Sequence, residues 1–308
     1  MIEEHPPRVA AFKSRLISEI PCVPDKVEVR RALGELSLPR LLIQYFNWSD
    51  RLLPPRPRRT IRWHGFHEHS AHSFSSPALM ELEKLSEKGE RLDQYLSRQA
   101  YECGYVQRPS PKRGVFWGDK DLALNAYDVH HLHLVAMDKH RRRPGGSRTL
   151  LFATLSRTNM VPLMIGDHNS FDDGTLFKAV TAFRAATGLV LRGVEPPREG
   201  DGFTQLEKAK LIRSGFMITG ETAGSVVPTA MLSNAGTSLL HTRHSSRVLQ
   251  AIAQWEAWLD DHAKLSDLLE GATWLPQRPQ WEWRCYFSDL CITETTTGNT
   301  VLVLPWVR

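Results

Sequence analysis

Three imidazoles within four residues, His130, His131 and His133, and another at His168 are the side chains in this sequence best suited to moving protons. Histidine titrates near neutral pH, so it can accept a proton in one step and return it in the next. Five of the thirteen histidines lie in residues 127–171. In an extended segment, side chains alternate between two faces. Tyr127, Val129, His131, His133 and Val135 then share one face, and His130, Leu132 and Leu134 the other. A rise of about 3.3 Å per residue sets His131 and His133 roughly 6–7 Å apart, a spacing that lets both reach one phosphate or one metal ion. Leu132 and Leu134 can then enter a core while the two rings face a groove. The competing reading, that the rings only bond backbone and fill space, is weakened by their clustering.

Cations accompany the rings. The run Asp138–Arg148 carries Lys139, Arg141, Arg142, Arg143 and Arg148 around Pro144-Gly145-Gly146, which supply a reversal. Guanidinium planes match phosphate oxygens bidentately. A solvated loop that only aids solubility is the alternative for this run. Metal-free cleavage of RNA needs a base for the 2′-hydroxyl, an acid for the leaving oxygen and a cation for the phosphate. His131, His133 and His168 are the expected proton carriers, Arg148 and Arg157 the clamp, and Asp167 the carboxylate that orients an imidazole. Lys139, Arg141, Arg142, Arg143 and Arg157 are expected to bind substrate. This scheme needs no cofactor.

Positioning these groups requires a β-meander: strand 127–136, basic connection 138–148, strand 149–155, tight turn 156–159 and strand 160–166. Before it, apolar spacing predicts helices over 8–20, from Asp25 to Leu36, and over 39–47. Arg51–Arg62 reads as a proline-stiffened basic linker, and its Arg56, Arg58, Arg59 and Arg62 beside Trp48 and Trp63 also suit single-stranded nucleic acid. His64, His67, His69 and His72 fall among serines and read as a polar loop rather than a metal site. Residues 77–99 read as a helix begun by Pro77. Asn169-Ser170 is expected to cap a helix near 175–187, ended by Gly188. A strand is expected at 215–219, a long helix at 246–270, and strands at Trp281–Phe287 and Thr300–Leu304 joined through the turn signal Thr297-Gly298-Asn299. The fold class is α+β: an antiparallel meander core, a helical N-terminal region, and a long C-terminal helix followed by a β-hairpin. The expected division is a mainly helical region 1–105 and an α+β domain 106–308.

Composition sets the outer bounds. The 308 residues carry a net charge of +5, 41% hydrophobic and 24% charged residues, which is ordinary for a globular chain with an ample core. The basic balance favours an anionic partner, most commonly nucleic acid, and the metal-free imidazole scheme favours RNA over DNA. Cys22, Cys103, Cys285 and Cys291 form no Cys-x-x-Cys pair, which argues against a zinc ribbon and for a reduced, cytoplasmic setting. The first residues lack the pattern of a signal peptide, and no apolar run approaches the roughly 20 residues of a membrane span.

The order of His-rich strand, basic turn, Arg148-Thr149-Leu150-Leu151-Phe152 strand, tight turn, apolar strand, Asp167-His168 and helix resembles the core of toxin endoribonucleases of the RelE and BrnT kind. That resemblance spans about residues 127–187. It implies an antiparallel sheet whose face binds and cuts RNA, and a partner protein that acts as antitoxin or regulator. Val129-His130-His131, Gly145-Gly146, Asn159–Leu163 and His168 also echo the His-Asn-His nuclease motif, although an apolar strand, Leu150–Leu155, fills the place of its short loop. This second resemblance implies a DNA nuclease in which His130, His131 and His168 hold a divalent metal such as Mg or Zn. A third reading makes the sheet a binding surface of a mobile-element accessory protein, without catalysis.

Overall fold

The computed structural model describes residues 5–70, 76–107, 115–138, 148–197, 202–269 and 272–307. The chain is α+β, with 41% of it helical and 20% in strands, paired mainly antiparallel. In chain order, the first third forms α1 (Pro7–Glu19), β1 (Cys22–Val23), α2 (Val27–Gly34), α3 (Leu38–Ser49), β2 (Arg59–Thr60), α4 (Phe66–His69), α5 (Pro77–Lys88), α6 (Arg98–Glu102) and β3 (Tyr105–Val106). The middle forms α7 (Leu122–Tyr127), β4 (His130–His133), β5 (Leu150–Leu155), β6 (Asn159–Gly166), a 3₁₀ turn (His168–Phe171), α8 (Thr175–Ala186), α9 (Gln205–Arg213), β7 (Ile218–Thr222) and β8 (Ser225–Ala230). The last part forms α10 (Leu239–Glu256), α11 (His262–Leu268), β9 (Trp281–Tyr286), β10 (Asp289–Glu294) and β11 (Thr300–Leu304). Among the described residues no helix is long and apolar enough to cross a membrane.

The chain divides into two compact units, but not at residue 105. A terminal unit gathers Met1–Asp50, Gly104–Gln107 and Leu240–Val307, and a central unit holds the residues between. The N-terminal helices do not stand alone because their apolar stripes need cover. Phe12, Leu16, Leu33, Leu42 and Phe46 share a buried core with Val248 and Ile252 of α10 and with Trp283, Leu290 and Ile292 of the C-terminal sheet. That sheet has three strands in the order β11-β10-β9 rather than the expected two. Its middle strand, β10, hides behind polar residues that serve as end caps: Asp289 accepts the N–H of Trp306 (2.6 Å), and Glu294 those of Gln280 (3.0 Å) and Thr297 (2.7 Å). The expected long helix over 246–270 is two helices, because Asp261 accepts the N–H of Lys264 (3.1 Å) and starts α11 afresh.

In the central unit, β4, β5 and β6 form the antiparallel meander and β2 joins the edge of β6 in parallel. The proline-rich stretch therefore delivers a strand rather than only a linker. Buried Arg58 fixes it, donating to the carbonyls of Ser156 (3.0 Å), Pro54 (3.1 Å) and Arg56 (3.3 Å). The expected helix over 77–99 stops at Lys88, where Gly89 turns to φ 74° and a Cβ would meet Pro57 at 2.7 Å. The first strand of the meander begins at His130, not Tyr127. Asp121 caps a short helix, α7, which ends at Asp128 in the left-handed region (φ 60°). Tyr127 and Val129 consequently enter the core. The buried guanidinium of Arg184 on α8 ties this junction down, donating to the carbonyls of Tyr127 (2.9 Å), Thr229 (2.6 Å) and Pro228.

Candidate functional site

Register brings the histidines together. His133 lies opposite Leu150, which lies opposite Gly166; His131 lies opposite Phe152, which lies opposite Met164. Residues directly opposite in an antiparallel sheet share a face, so both rings stand on the face covered by the turn after β6. At Gly166 a Cβ would run into Ser170 Oγ and Met164 Cε, so the bare Cα is what lets the turn close over the sheet. Phe171 anchors the turn on fully buried Phe152, the two rings 5.4 Å apart. The result is a triangle of imidazoles, with ring centres 6.3 Å apart for His131–His133, 6.5 Å for His131–His168 and 5.7 Å for His133–His168. His133 is buried, His131 half-buried and His168 exposed.

Beside the triangle lies an open cleft of about 240 Å³, lined by His131, His168, Phe171, Ser97, Gln99, Arg51, Lys120, Asp121, Leu122 and Arg213. Cations dominate its charge. Lys120 is held by Asp119 Oδ1 (2.7 Å) and the Phe116 carbonyl (3.0 Å). Arg213 forms a forked pair with Asp172 (2.8 and 3.0 Å). Arg51 is buried and donates to the Asp119 carbonyl (3.1 Å); loss of water pulls its guanidinium below the usual value, and Asp121 and Asp119 pull the other way. Nδ1 of His131 stands 3.0 Å from Oδ2 of Asp121. Burial pushes the Asp121 carboxyl up, but His131, the Leu124 N–H and Arg51 together hold it at about 2, so it is ionised at neutral pH.

The remaining candidates fall elsewhere. Arg148 is exposed at the entry to β5, on the strand parity of Leu150 and hence at the His133 end of the sheet. Arg157 sits in the turn at the other end of β5, a strand roughly 17 Å long by its rise; the structure does not bring it to the cleft. Asp167 orients its own turn instead of an imidazole, accepting the N–H of Asn169 (2.7 Å) while its backbone N–H donates to Ser170 Oγ (3.2 Å). Asn169 and Ser170 thus belong to this 3₁₀ turn, and α8 starts at Thr175 behind Gly174 (φ 86°), with Asp173 Oδ1 accepting the Thr175 N–H (2.8 Å). Lys139, Arg141, Arg142 and Arg143 lie outside the described residues, as does His72. Strand alternation sets His130 on the face opposite His131 and His168, so the metal set His130, His131 and His168 does not converge. Among the described residues no group of three His, Cys, Asp or Glu side chains is placed to hold a metal ion. Of the second histidine run, His69 stacks on Trp63 with ring centres 5.5 Å apart, and its burial lowers its pKa.

Asp121, Lys120, Arg51 and Arg213 are the cleft residues that sequence reasoning missed. Asp121 did carry a signal, an N-cap residue ahead of the apolar run Leu122–Tyr127. That its second oxygen meets His131 depends on how α7 and β4 are placed. No family model, no curated protein and no solved structure matches this chain.

Proposed function

We propose that the chain is an endoribonuclease that cuts RNA by metal-independent acid–base chemistry, as its likeness over residues 127–187 to RelE- and BrnT-type toxins implies. The observation that carries this reading is the imidazole triangle, with neighbouring rings 5.7–6.5 Å apart, at the wall of a cleft that also holds Lys120 and Arg213. In the reaction, one imidazole takes the proton of the 2′-hydroxyl. The 2′-oxygen bonds to phosphorus, the bond to the 5′-oxygen breaks, and that oxygen takes a proton from a second imidazole. The products are a 2′,3′-cyclic phosphate and a 5′-hydroxyl. Cations complement the charge that gathers on the phosphorane oxygens; Lys120 and Arg213 line the cleft where that charge forms, and Arg148 extends the same face toward a neighbouring phosphate. DNA lacks the attacking hydroxyl and is not a substrate.

The test is incubation of RNA and of DNA with the wild-type protein and with His131→Ala and His168→Ala, each with and without a chelator. RNA cutting that survives chelation and disappears in both variants is the expected result. DNA cutting that stops with the chelator, or RNA cutting that both variants retain, overturns the proposal.

A further inference from the structure

Asp121 serves two elements at once. Its Oδ1 accepts the Leu124 N–H (3.0 Å) and closes the first turn of α7, while its Oδ2 lies 3.0 Å from His131 Nδ1 on β4. A carboxylate pinned by a helix cap does not swing with the ring, so the ring takes the orientation that the cap sets. An ionised oxygen 3.0 Å away repels a lone pair and favours a proton, so it selects the tautomer with the proton on Nδ1 and leaves Nε2, on the far side of the ring, as the basic nitrogen. The other charged and titratable groups around His131 are His133 on its own strand, His168 in the covering turn, and Arg51, Lys120 and Arg213 along the cleft. The three neighbours along the cleft are cations, which disfavour a positive charge on the ring, so Asp121 is the group that favours proton uptake there.

We infer that Asp121 is a positioning residue that fixes the His131 proton on Nδ1 and thereby makes His131 Nε2 the proton acceptor, with exposed His168 across the cleft wall as the donor. This assignment rests on the ribonuclease reading. The proton taken from the 2′-hydroxyl goes to Nε2, giving an imidazolium paired with Asp121, and the proton lost by His168 goes to the 5′-oxygen.

Asp121→Asn separates the two jobs of Asp121, because asparagine caps a helix as well as aspartate does but carries no charge. The experiment reads the ring-nitrogen shifts of His131 by NMR across pH, assigned against His131→Ala, together with the pH profile of RNA cleavage. In the wild-type protein the neutral ring is expected as the Nδ1–H tautomer. In Asp121→Asn that preference is lost, the His131 midpoint falls, the acidic limb of the kcat/KM profile moves to lower pH with it, and kcat drops about 10- to 100-fold with KM little changed. Melting is expected to fall in both variants, and further in Asp121→Ala, which loses the cap as well as the charge. A His131 tautomer and midpoint that are the same in Asp121→Asn as in the wild type, in a protein that does cut RNA, overturn this inference alone. A shifted His131 in a wild-type protein that cuts no RNA overturns the ribonuclease reading and the acceptor role with it.

Discussion

Each unit of this chain contains a close set of histidines, and the two sets are used in opposite ways. In the terminal unit, His241 and His244 lie one turn apart on α10 and are almost wholly buried. His241 Nε2 meets Asp50 Oδ2 at 2.8 Å, and the other oxygen of Asp50 accepts the Trp306 indole N–H at 2.9 Å. His244 Nε2 donates to the Ser288 carbonyl at 2.8 Å, and its ring lies 4.6 Å from both Phe46 and Trp306. In the central unit, His131 also has a carboxylate at 3.0 Å, but its neighbour His168 is exposed and both line a cleft. A histidine–carboxylate contact is therefore not a functional signature by itself. What separates the two sets is access: His131 and His168 line an open cleft, whereas His241 and His244 are closed off from solvent.

The largest expected effect sharpens that contrast. His131→Ala or His168→Ala is expected to lower RNA cleavage by about 10²- to 10⁴-fold, the usual worth of a general acid or base, with little change in melting for exposed His168→Ala and some loss for His131→Ala, which leaves Asp121 without its imidazole. His241→Ala is expected to do the reverse: it strands the Asp50 charge in a buried site and costs about 3–5 kcal/mol of stability by denaturant unfolding, while cleavage at a temperature where the protein stays folded is unchanged. Loss of cleavage in His241→Ala without unfolding would break the comparison.

A smaller effect concerns pH. Burial drives the His244 pKa down to about 4, against the Ser288 contact that raises it. The folded value lies below the unfolded one of 6.5, so the unfolded state binds the proton more tightly. Stability is then fully present above about pH 6.5 and is lost as pH falls toward 4, by roughly 3 kcal/mol across that window. His244→Gln is expected to flatten this slope in denaturant titrations at a series of pH values; a slope equal to that of the wild type would assign it to another group. The smallest effect is at the rim of the cleft. Arg213 is half-exposed in its pair with Asp172, and such pairs add about 0–1 kcal/mol. Arg213→Ala is expected to leave melting nearly unchanged and to reduce the salt dependence of RNA binding by about 0.7 in log–log slope, one single-strand phosphate contact.

Much of this was legible in the sequence where the signal is periodic. Alternation set His131 and His133 on one face at roughly the spacing seen, the meander order of three strands is present, and the pairing of its strands is antiparallel. The strand start was hidden because Tyr127 and Val129 fit a strand pattern as well as they fit a helix end and a core. β10 was hidden because Asp289, Thr293 and Glu294 look like loop residues until their backbone and side-chain partners are seen. The interleaved units were hidden because nothing in α1–α3 says that their cover comes from residues beyond 240. Among site residues, the nominated Asp167 and the actual neighbour Asp121 are both caps; only the packing of α7 against β4 tells which cap has an oxygen facing an imidazole.

The central claim is that the 2′-hydroxyl is the nucleophile and imidazoles carry its proton. It is tested most directly by product analysis of one RNA oligonucleotide and its copy with a single 2′-deoxy residue at the cut site, both in chelator. The account predicts a 2′,3′-cyclic phosphate and a 5′-hydroxyl from the first, and no cutting at the modified linkage in the second. Cutting of the deoxy linkage, or fragments ending in a 5′-phosphate, would contradict it.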